Sequence, residues 1–381
     1  MSSSRITLSK SALTNNITFI KSQLKPGVVL SSVIKGNAYG HGIVEMVAAL
    51  EQLDVHHFSV FSSHEAQLVH KTISQPASIM IMGNIAPEHE AWVIENDIDF
   101  FVFNFKRLER MTALANKQGK KARAHIEVET GMNRTGFDPK DWKKLITTIQ
   151  ENKDLELVGV CTHFSGAESI TNYHRIKQQR KQFKKFNALL AKNNITPQLR
   201  HTSCSAALIA YPNEQWDLVR IGILQYGLWP SRETYISYLT RKNLHEDPLK
   251  RLIKWESQIM DIKKVKKQQF IGYGTSLLAE NDMQIASVPV GYSDGYSRSL
   301  SNQGKVIINE TRLDVIGVVN MNMLLVDISN LDNVNIGDPV ILIGTAGKAD
   351  ISIASFGELS KQLNYELLTR LDKNIVRTFV E

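Results

Sequence analysis

The sequence predicts an α/β protein: a (β/α)8 TIM-like barrel followed by a smaller, mostly β C-terminal domain. Over the first 235 residues, eight short apolar or β-branched runs alternate with longer stretches of helical spacing. Strands that alternate with helices pair in parallel through crossovers, and eight such units in about 230 residues fit a closed barrel better than an open sheet. After Pro230 the texture changes to short strand-like runs separated by Asn- and Gly-containing turns, as in a small all-β domain of about 120 residues.

The eight barrel runs are Val28–Lys35, His57–Ser62, Ser78–Gly83, Asp99–Asn104, Ala122–Thr130, Leu155–Ser165, Gln198–Ser203 and Leu218–Gly227. Between them lie segments of helical spacing such as Lys106–Gln118 and the long polar stretch Ile170–Asn193. The last barrel helix must be short. Ser231–Lys254 is polar and charged and reads as a linker or surface excursion. The strand runs that follow are Trp255–Val265, Met283–Val290, Lys305–Ile308, Leu313–Val319, Met323–Ile328 and Pro339–Ile343, and a helical stretch, Ser352–Leu363, precedes the tail. The expected domains are therefore residues 1–235 and 236–381, with the first residues able to join the second domain.

The chain has 381 residues, 43% hydrophobic and 22% charged, enough to bury a core without disulfides or a structural metal. Its two cysteines, Cys161 and Cys204, belong to no CxxC or Cys/His cluster, so no zinc site is expected, and reduced thiols are the simpler reading. The opening MSSSRITLSKSALTNN is polar, and no stretch reaches the ~18 apolar residues of a membrane span. A soluble cytoplasmic protein with no membrane partner is expected. The net charge of +7 is scattered through amphipathic segments such as Lys177–Lys185, so no nucleic-acid partner is inferred.

A barrel carries its reactive groups where strands end, on the C-terminal face. Lys35 closes the first run and is followed by Gly36-Asn37-Ala38-Tyr39-Gly40-His41-Gly42; Arg134 lies in the loop ETGMNRTGF after the fifth; His163 lies near the end of the sixth; Ser203 and Ser205 lie at and beyond the end of the seventh. Arg220 stands within the apolar eighth run, with Gly222 just beyond it. An arginine inside a barrel needs an acceptor or an anion, and the glycine-flanked GIL can present backbone N–H groups to a phosphate.

Taken together, IKGNAYGHG, ETGMNRTGF, THFSGAE, HTSCSAA, VRIGILQYG, IGYGTSLLA, VPVGYSDGYSR and IGVVNMNMLLVDIS resemble, in order and spacing, the blocks of the alanine racemases, whose cofactor-lysine signature is close to VKANAYGHG. The resemblance runs from Ile6 to about Arg377. It implies a pyridoxal 5'-phosphate enzyme, an obligate head-to-tail homodimer with shared active sites, that racemises a small amino acid, most simply alanine. Lys35 would bind the cofactor and act as one base, and the partner's Tyr273 would be the other. Arg220 would contact the pyridine nitrogen and His163 would support Arg220 by hydrogen bonding. Tyr39, Ser205, Gly222 and Ile223 would hold the phosphate. Arg134 would meet the cofactor's phenolic oxygen and the substrate carboxylate, which the backbone N–H of Met321 would also meet.

Three departures stand out. Where many family members carry a carbamylated lysine, seven residues before the arginine of the MxR motif, this chain has Glu127, a permanent carboxylate suited to orienting Arg134. The usual MD pair reads Met321–Asn322, and the position aligned with an entrance tyrosine is Lys373. The reaction type stands; a broader racemase acting on serine or lysine differs only in its pocket. A non-enzymatic cofactor-binding protein of the related single-barrel kind would lack the domain bearing Tyr273. A basic amino-acid decarboxylase of the same fold type would carry a triple-glycine phosphate loop, which is missing here.

Overall fold

The computed structural model describes residues 3–353 and 364–381. The chain forms two compact units, one of Ser11–Gly36 with Met46–Arg251, the other of Met1–Lys10 with Asn37–Glu45 and Leu252–Glu381. The sequence placed the division at residue 235; here it falls after Arg251. The first strand, β1 (Arg5–Ser9), belongs to the second unit.

The first unit is the barrel. Its strands are β2 (Val29–Val33), β3 (His57–Val60), β4 (Ser78–Ile81), β5 (Asp99–Val102), β6 (Ala122–Glu127), β7 (Leu155–Cys161), β8 (Leu199–His201) and β9 (Leu218–Ile221). They pair in parallel in the order β8-β7-β6-β5-β4-β3-β2-β9. Closure is made by Asp217 N–H donating to Arg200 O at 3.0 Å and Arg220 N–H donating to Ser203 O at 2.9 Å. Every residue of β3, β5 and β9 is buried, as a sheet covered on one side by helices and on the other by its own interior requires. The helices are amphipathic. Phe105–Lys117, capped by Asn104, buries Leu108, Met111 and Ala115, and Tyr173–Lys192 buries Ile176, Gln179, Phe183, Phe186 and Leu190 at alternating spacings of three and four.

Each strand ends before the apolar run that announced it, so the residues past the ladder are released into the rim. Ser231–Lys254 is no plain linker. It contains a helix, Arg232–Lys242, capped by reciprocal bonds between Ser231 and Thr234. Its buried Tyr238 packs on Phe19 and Trp229, each with ring centroids 5.4 Å away. One aromatic face among charged residues hid this helix from a reading based on composition.

In the second unit β1 joins β10 (Ile253–Gln258), β11 (Asp261–Val265), β12 (Met283–Val288), β13 (Lys305–Ile308), β14 (Thr311–Ile316), β15 (Leu324–Asp327), β16 (Pro339–Ala346), β17 (Ala349–Ile351) and β18 (Val376–Val380). The order is β11-β12-β15-β14-β13-β16-β10-β1-β18, with β17 on β16. The run Trp255–Val265 is two strands rather than one, split between Gln258 and Asp261. The helix expected over Ser352–Leu363 lies, from residue 354 onward, outside the described residues; a helix does cover Asn364–Arg370. Among the described residues no helix is long and apolar enough to cross a membrane.

Candidate active site

Lys35 sits two residues beyond β2, and that strand end is locked from two sides. Gln225 Nε2 and Tyr226 Oη donate to Val33 O at 3.0 and 3.1 Å, and Ser32 Oγ donates to Gln225 Oε1 at 2.7 Å. Beyond the lysine, Gly36 N–H donates to Glu65 Oε1 at 2.7 Å, while Glu65 Oε2 accepts from Phe61 and Ser62 as the far half of a capping box. One carboxylate thus ties the start of a neighbouring helix to the residue after Lys35. The sequence reading missed Glu65 and Gln225; the S-x-x-E spacing of Ser62 and Glu65 was the signal for the first.

The chain then turns in an uncommon way. Gly36, Asn37, Ala38, Tyr39 and Gly40 all have positive φ, between +52° and +82°. The short helix Lys35–Tyr39 is therefore a left-handed turn, which costs about 1–2 kcal/mol for each of the three non-glycine residues. Asn37 O accepts from Gly42 N–H at 2.9 Å, and Asn37 Oδ1 accepts from Ile43 N–H at 3.2 Å. Strain held by such bonds is a feature of functional segments.

Around Lys35 the electrostatics are cationic. Burial lowers its pKa first, Arg134 and Arg220 lower it further, and Glu65 and Cys204 oppose them. Burial and then Arg220, Arg134 and Lys35 push the His163 imidazole down to about 3, so it is neutral. The thiols of Cys161 and Cys204 are free, and burial raises both out of the range of reactive cysteines.

Arg220 is buried in the barrel. Its Nη2 donates to Thr162 O at 2.9 Å and Thr202 O at 3.5 Å, and its Nη1 bonds His201 Nδ1 and His201 O. The hydrogen-bonding support expected from His163 is supplied by His201, because β8 lies beside β9 where the barrel closes. His201 was not singled out from the sequence, although it stands at a strand end in the HTSCSAA block.

Arg134 is exposed on a loop whose backbone is gathered by Glu129. That carboxylate accepts from the N–H groups of Gly131, Met132 at 2.6 Å, Asn133 at 2.7 Å and Arg134 at 3.4 Å. A Cβ on Gly136, at φ +113°, would come within 2.7 Å of Glu129 N, so the loop closes only with glycine there. Glu127 is buried at the end of β6. Burial raises its pKa, against a hydrogen bond from Thr135 and the charges of Arg134 and Arg220. Glu127 forms no ion pair with Arg134 within 4.0 Å among the described residues; its influence there is through space. Past β8 and β9, Gly222 N–H donates to Ser205 Oγ at 3.1 Å, and Ile223 opens the short 3-10 helix that follows.

In the second unit, Tyr39 stands edge-on to Tyr365 with ring centroids 6.2 Å apart. Tyr273 is 71% exposed between Gly272 and Gly274, both of positive φ. Met321 is 56% exposed, and its carbonyl accepts from Ser293 N–H at 3.0 Å and Ser293 Oγ at 2.7 Å. Asn322 Nδ2 donates to Ser293 Oγ at 2.8 Å, and Lys373 is exposed. No group of three metal-ligating side chains occurs among the described residues.

The family models for the alanine racemase N-terminal domain and the alanine racemase C-terminal domain match residues 8–230 and 252–379. An alanine racemase of Leptospira interrogans is 32% identical over 381 residues, covering 100% of this chain and 96% of the relative. One of Methanococcus maripaludis is 33% identical over 375 residues, covering 97% and 96%. Among solved structures, alanine racemase from Bacillus anthracis with bound L-Ala-P superposes with a TM-score of 0.91 at 28% identity, covering 100% and 96%. That from Bartonella henselae with covalently bound pyridoxal phosphate gives 0.85 at 26% identity, covering 100% of both chains.

Proposed function

Because this chain belongs to the alanine racemase family, we infer how its own residues divide the work of interconverting L- and D-alanine with pyridoxal phosphate. The observation that carries the reading is Lys35, an amine at a barrel strand end whose proton is loosened by burial, Arg134 and Arg220.

The donor set fits the cofactor. An amine of lowered basicity spends more of its time as the free base that attacks an aldehyde, Arg220 offers a buried guanidinium toward a ring nitrogen, and Ser205 Oγ, which accepts from the Gly222 amide, keeps its own hydroxyl proton for a phosphate. When bound, pyridoxal phosphate supplies the aldehyde and a conjugated ring that spreads the negative charge left on the α-carbon. Lys35 Nζ would hold the cofactor, and it takes or returns the α-proton on one face of the substrate. The phenolic Oη of the partner's Tyr273 does the same on the other face. Two bases on opposite faces invert configuration, because one removes the proton and the other returns it. Arg220 would meet the ring nitrogen without protonating it, since a guanidinium does not release its proton in this range. That would leave the ring a weaker electron sink and disfavour side reactions.

Tyr39 joins Ser205, Gly222 and Ile223 at the phosphate. Arg134 and the Met321 amide meet the substrate carboxylate. His163 is an uncharged polar neighbour of Arg220, Arg134 and Lys35, and Glu127 adds negative charge toward Arg134. The homodimer is supported by aromatic and apolar groups left outside the second unit, namely Tyr273, Met321, Phe270 at 56% and Leu278 at 43% exposure. Two free thiols, buried Cys161 and half-buried Cys204, support a reducing, cytoplasmic setting where the enzyme supplies D-alanine.

The test is to incubate the purified protein with a panel of L-amino acids and measure the D-enantiomers. D-alanine should form fastest, and a panel in which serine or lysine outpaces alanine would replace the substrate.

A further inference from the structure

Three buried polar groups, His201, His125 and Asp99, continue from Arg220 down the barrel interior. Alternation along the strands puts Asp99 and Phe101 on one face of β5, and Arg123, His125 and Glu127 on one face of β6. His201 Nε2 lies 2.8 Å from His125 Nδ1, and His125 Nε2 faces Asp99 Oδ2 across 3.7 Å, too far for a hydrogen bond and without another partner. Asp99 Oδ1 accepts from Arg123 Nε at 2.7 Å, and Arg123 Nη1 reaches Glu156 Oε1 at 3.0 Å. Both imidazoles are fully buried and Asp99 is nearly so. Phe101 walls them in, its ring 6.2 Å from His125, 5.9 Å from His201 and 5.9 Å from the Arg220 guanidinium carbon.

We propose that His201 and His125 form a hydrogen-bonded relay of single polarity, backed by the charge of the Asp99 carboxylate 3.7 Å beyond it, that presents an acceptor nitrogen to Arg220 and so positions its guanidinium at the cofactor's ring nitrogen. The inference rests on the reading of Arg220 given above. The polarity follows from donor counting. A guanidinium has no acceptor, so His201 Nδ1 must carry the lone pair and its proton must sit on Nε2. His125 Nδ1 then accepts, which places the His125 proton on Nε2, toward the Asp99 carboxylate. The opposite tautomer of His125 would set two N–H groups against each other at 2.8 Å. The charge of the carboxylate beyond His125 favours the same tautomer, as the group behind a ligating histidine does in a metal site. Burial and then the Arg220 charge keep the His201 ring from taking a second proton. The barrel also makes room for the relay. A Cβ on Gly159 of β7 would fall 2.1 Å from His125 Nδ1, in the ring's own place.

His125, His201 and Asp99 are positioning residues, and the test compares His125→Leu, which cuts the relay, with His125→Asn, whose Oδ1 stands in for the Nδ1 acceptor. Gly159→Ala displaces the ring without changing any titratable group. Arg220→Lys is the control for the underlying reading. Each is purified as holoenzyme and read by its visible absorption band, the pyridoxal phosphate dissociation constant on reconstitution, and urea unfolding. Arg220→Lys, His125→Leu and Gly159→Ala should shift the band in the same direction and weaken cofactor binding about tenfold, the equivalent of one lost buried hydrogen bond. His125→Asn should restore both. A band moved by Arg220→Lys but not by His125→Leu would overturn the relay while leaving Arg220 in place, even if unfolding shows His125→Leu to be less stable. A band that Arg220→Lys leaves untouched would remove Arg220 from the ring nitrogen and the relay's purpose with it. If Gly159→Ala does not fold, the two His125 variants decide.

Discussion

At the scale of single residues, the site turns on an amine that its surroundings make reluctant to hold a proton. Burial is the larger cause at Lys35, and the cations Arg134 and Arg220 act in the same direction. Lys35→Ala should therefore abolish racemisation and leave no bond to the cofactor that borohydride can reduce; a reducible bond surviving in that variant would mean another amine carries the cofactor. Glu65 works against the cations, raising the Lys35 pKa while its oxygens hold the Gly36, Phe61 and Ser62 amides. Glu65→Gln keeps an amide-accepting oxygen and removes the charge. In the substrate complex, where Lys35 serves as a base, its amine is then free at lower pH, so the acid limb of the kcat profile should move to lower pH. A limb that stays put, or moves up, would show that the titrating group is not Lys35.

At the scale of elements, the loops at the strand ends carry the function, and these were the hardest to read. The β-branched runs revealed all eight barrel strands because a covered parallel strand is apolar on both faces. Their ends were not legible. Val28–Lys35 reads as one run, yet the ladder stops at Val33, because the left-handed turn beginning at Gly36 depends on bonds from Glu65, Gly42 and Ile43 that are distant or reversed in sequence. The strand-end place of Lys35 and the barrel strand holding Arg220 were legible from local context, and their roles were read from the resemblance alone. His201, His125 and Asp99 were not, since nothing local distinguishes an inward-facing polar residue in a barrel from one on the rim. The loop carrying Arg134 makes the same point. The sequence pointed to Glu127, whereas four backbone amides of the loop converge on Glu129. Hydrogen bonds to a charged acceptor are each worth about 1.5–3 kcal/mol, and neutralising the acceptor forfeits part of several at once. Glu129→Gln should raise the KM for alanine about tenfold with a smaller fall in kcat, and Glu127→Gln should do less. Steady-state kinetics on the two variants decide it, and the reverse order would return the anchoring of Arg134 to Glu127.

At the scale of the whole molecule, two properties follow from what each unit buries and what it leaves outside. His41 in the second unit and His57 in the barrel are both held down to about 4, chiefly by burial. Each is neutral when folded and takes its proton near 6.5 when unfolded, so below that pH the unfolded chain binds more protons and stability falls until the folded value of about 4 is reached. Between pH 6.5 and 5 this amounts to roughly 2 kcal/mol per histidine as an upper figure. The urea midpoint should drop across that window, and His57→Leu, which fills the site with an apolar group, should flatten the slope by about one proton. The second property is the dimer. Lys35 lies in the barrel, whereas Tyr273 is exposed on the other unit, held out between two glycines of positive φ. If each site pairs Lys35 of one subunit with the partner's Tyr273, then Lys35→Ala and Tyr273→Phe subunits are both inactive as homodimers. In a hybrid, one site lacks both bases and the other has both. Random exchange of equal amounts makes half of the dimers hybrid, and half of the sites in those are intact, so about a quarter of wild-type activity should return on mixing. The measurement is racemase activity against time after mixing, with exchange followed independently by a mass tag on one variant. Full exchange without recovered activity would mean that each site draws both of its bases from one chain.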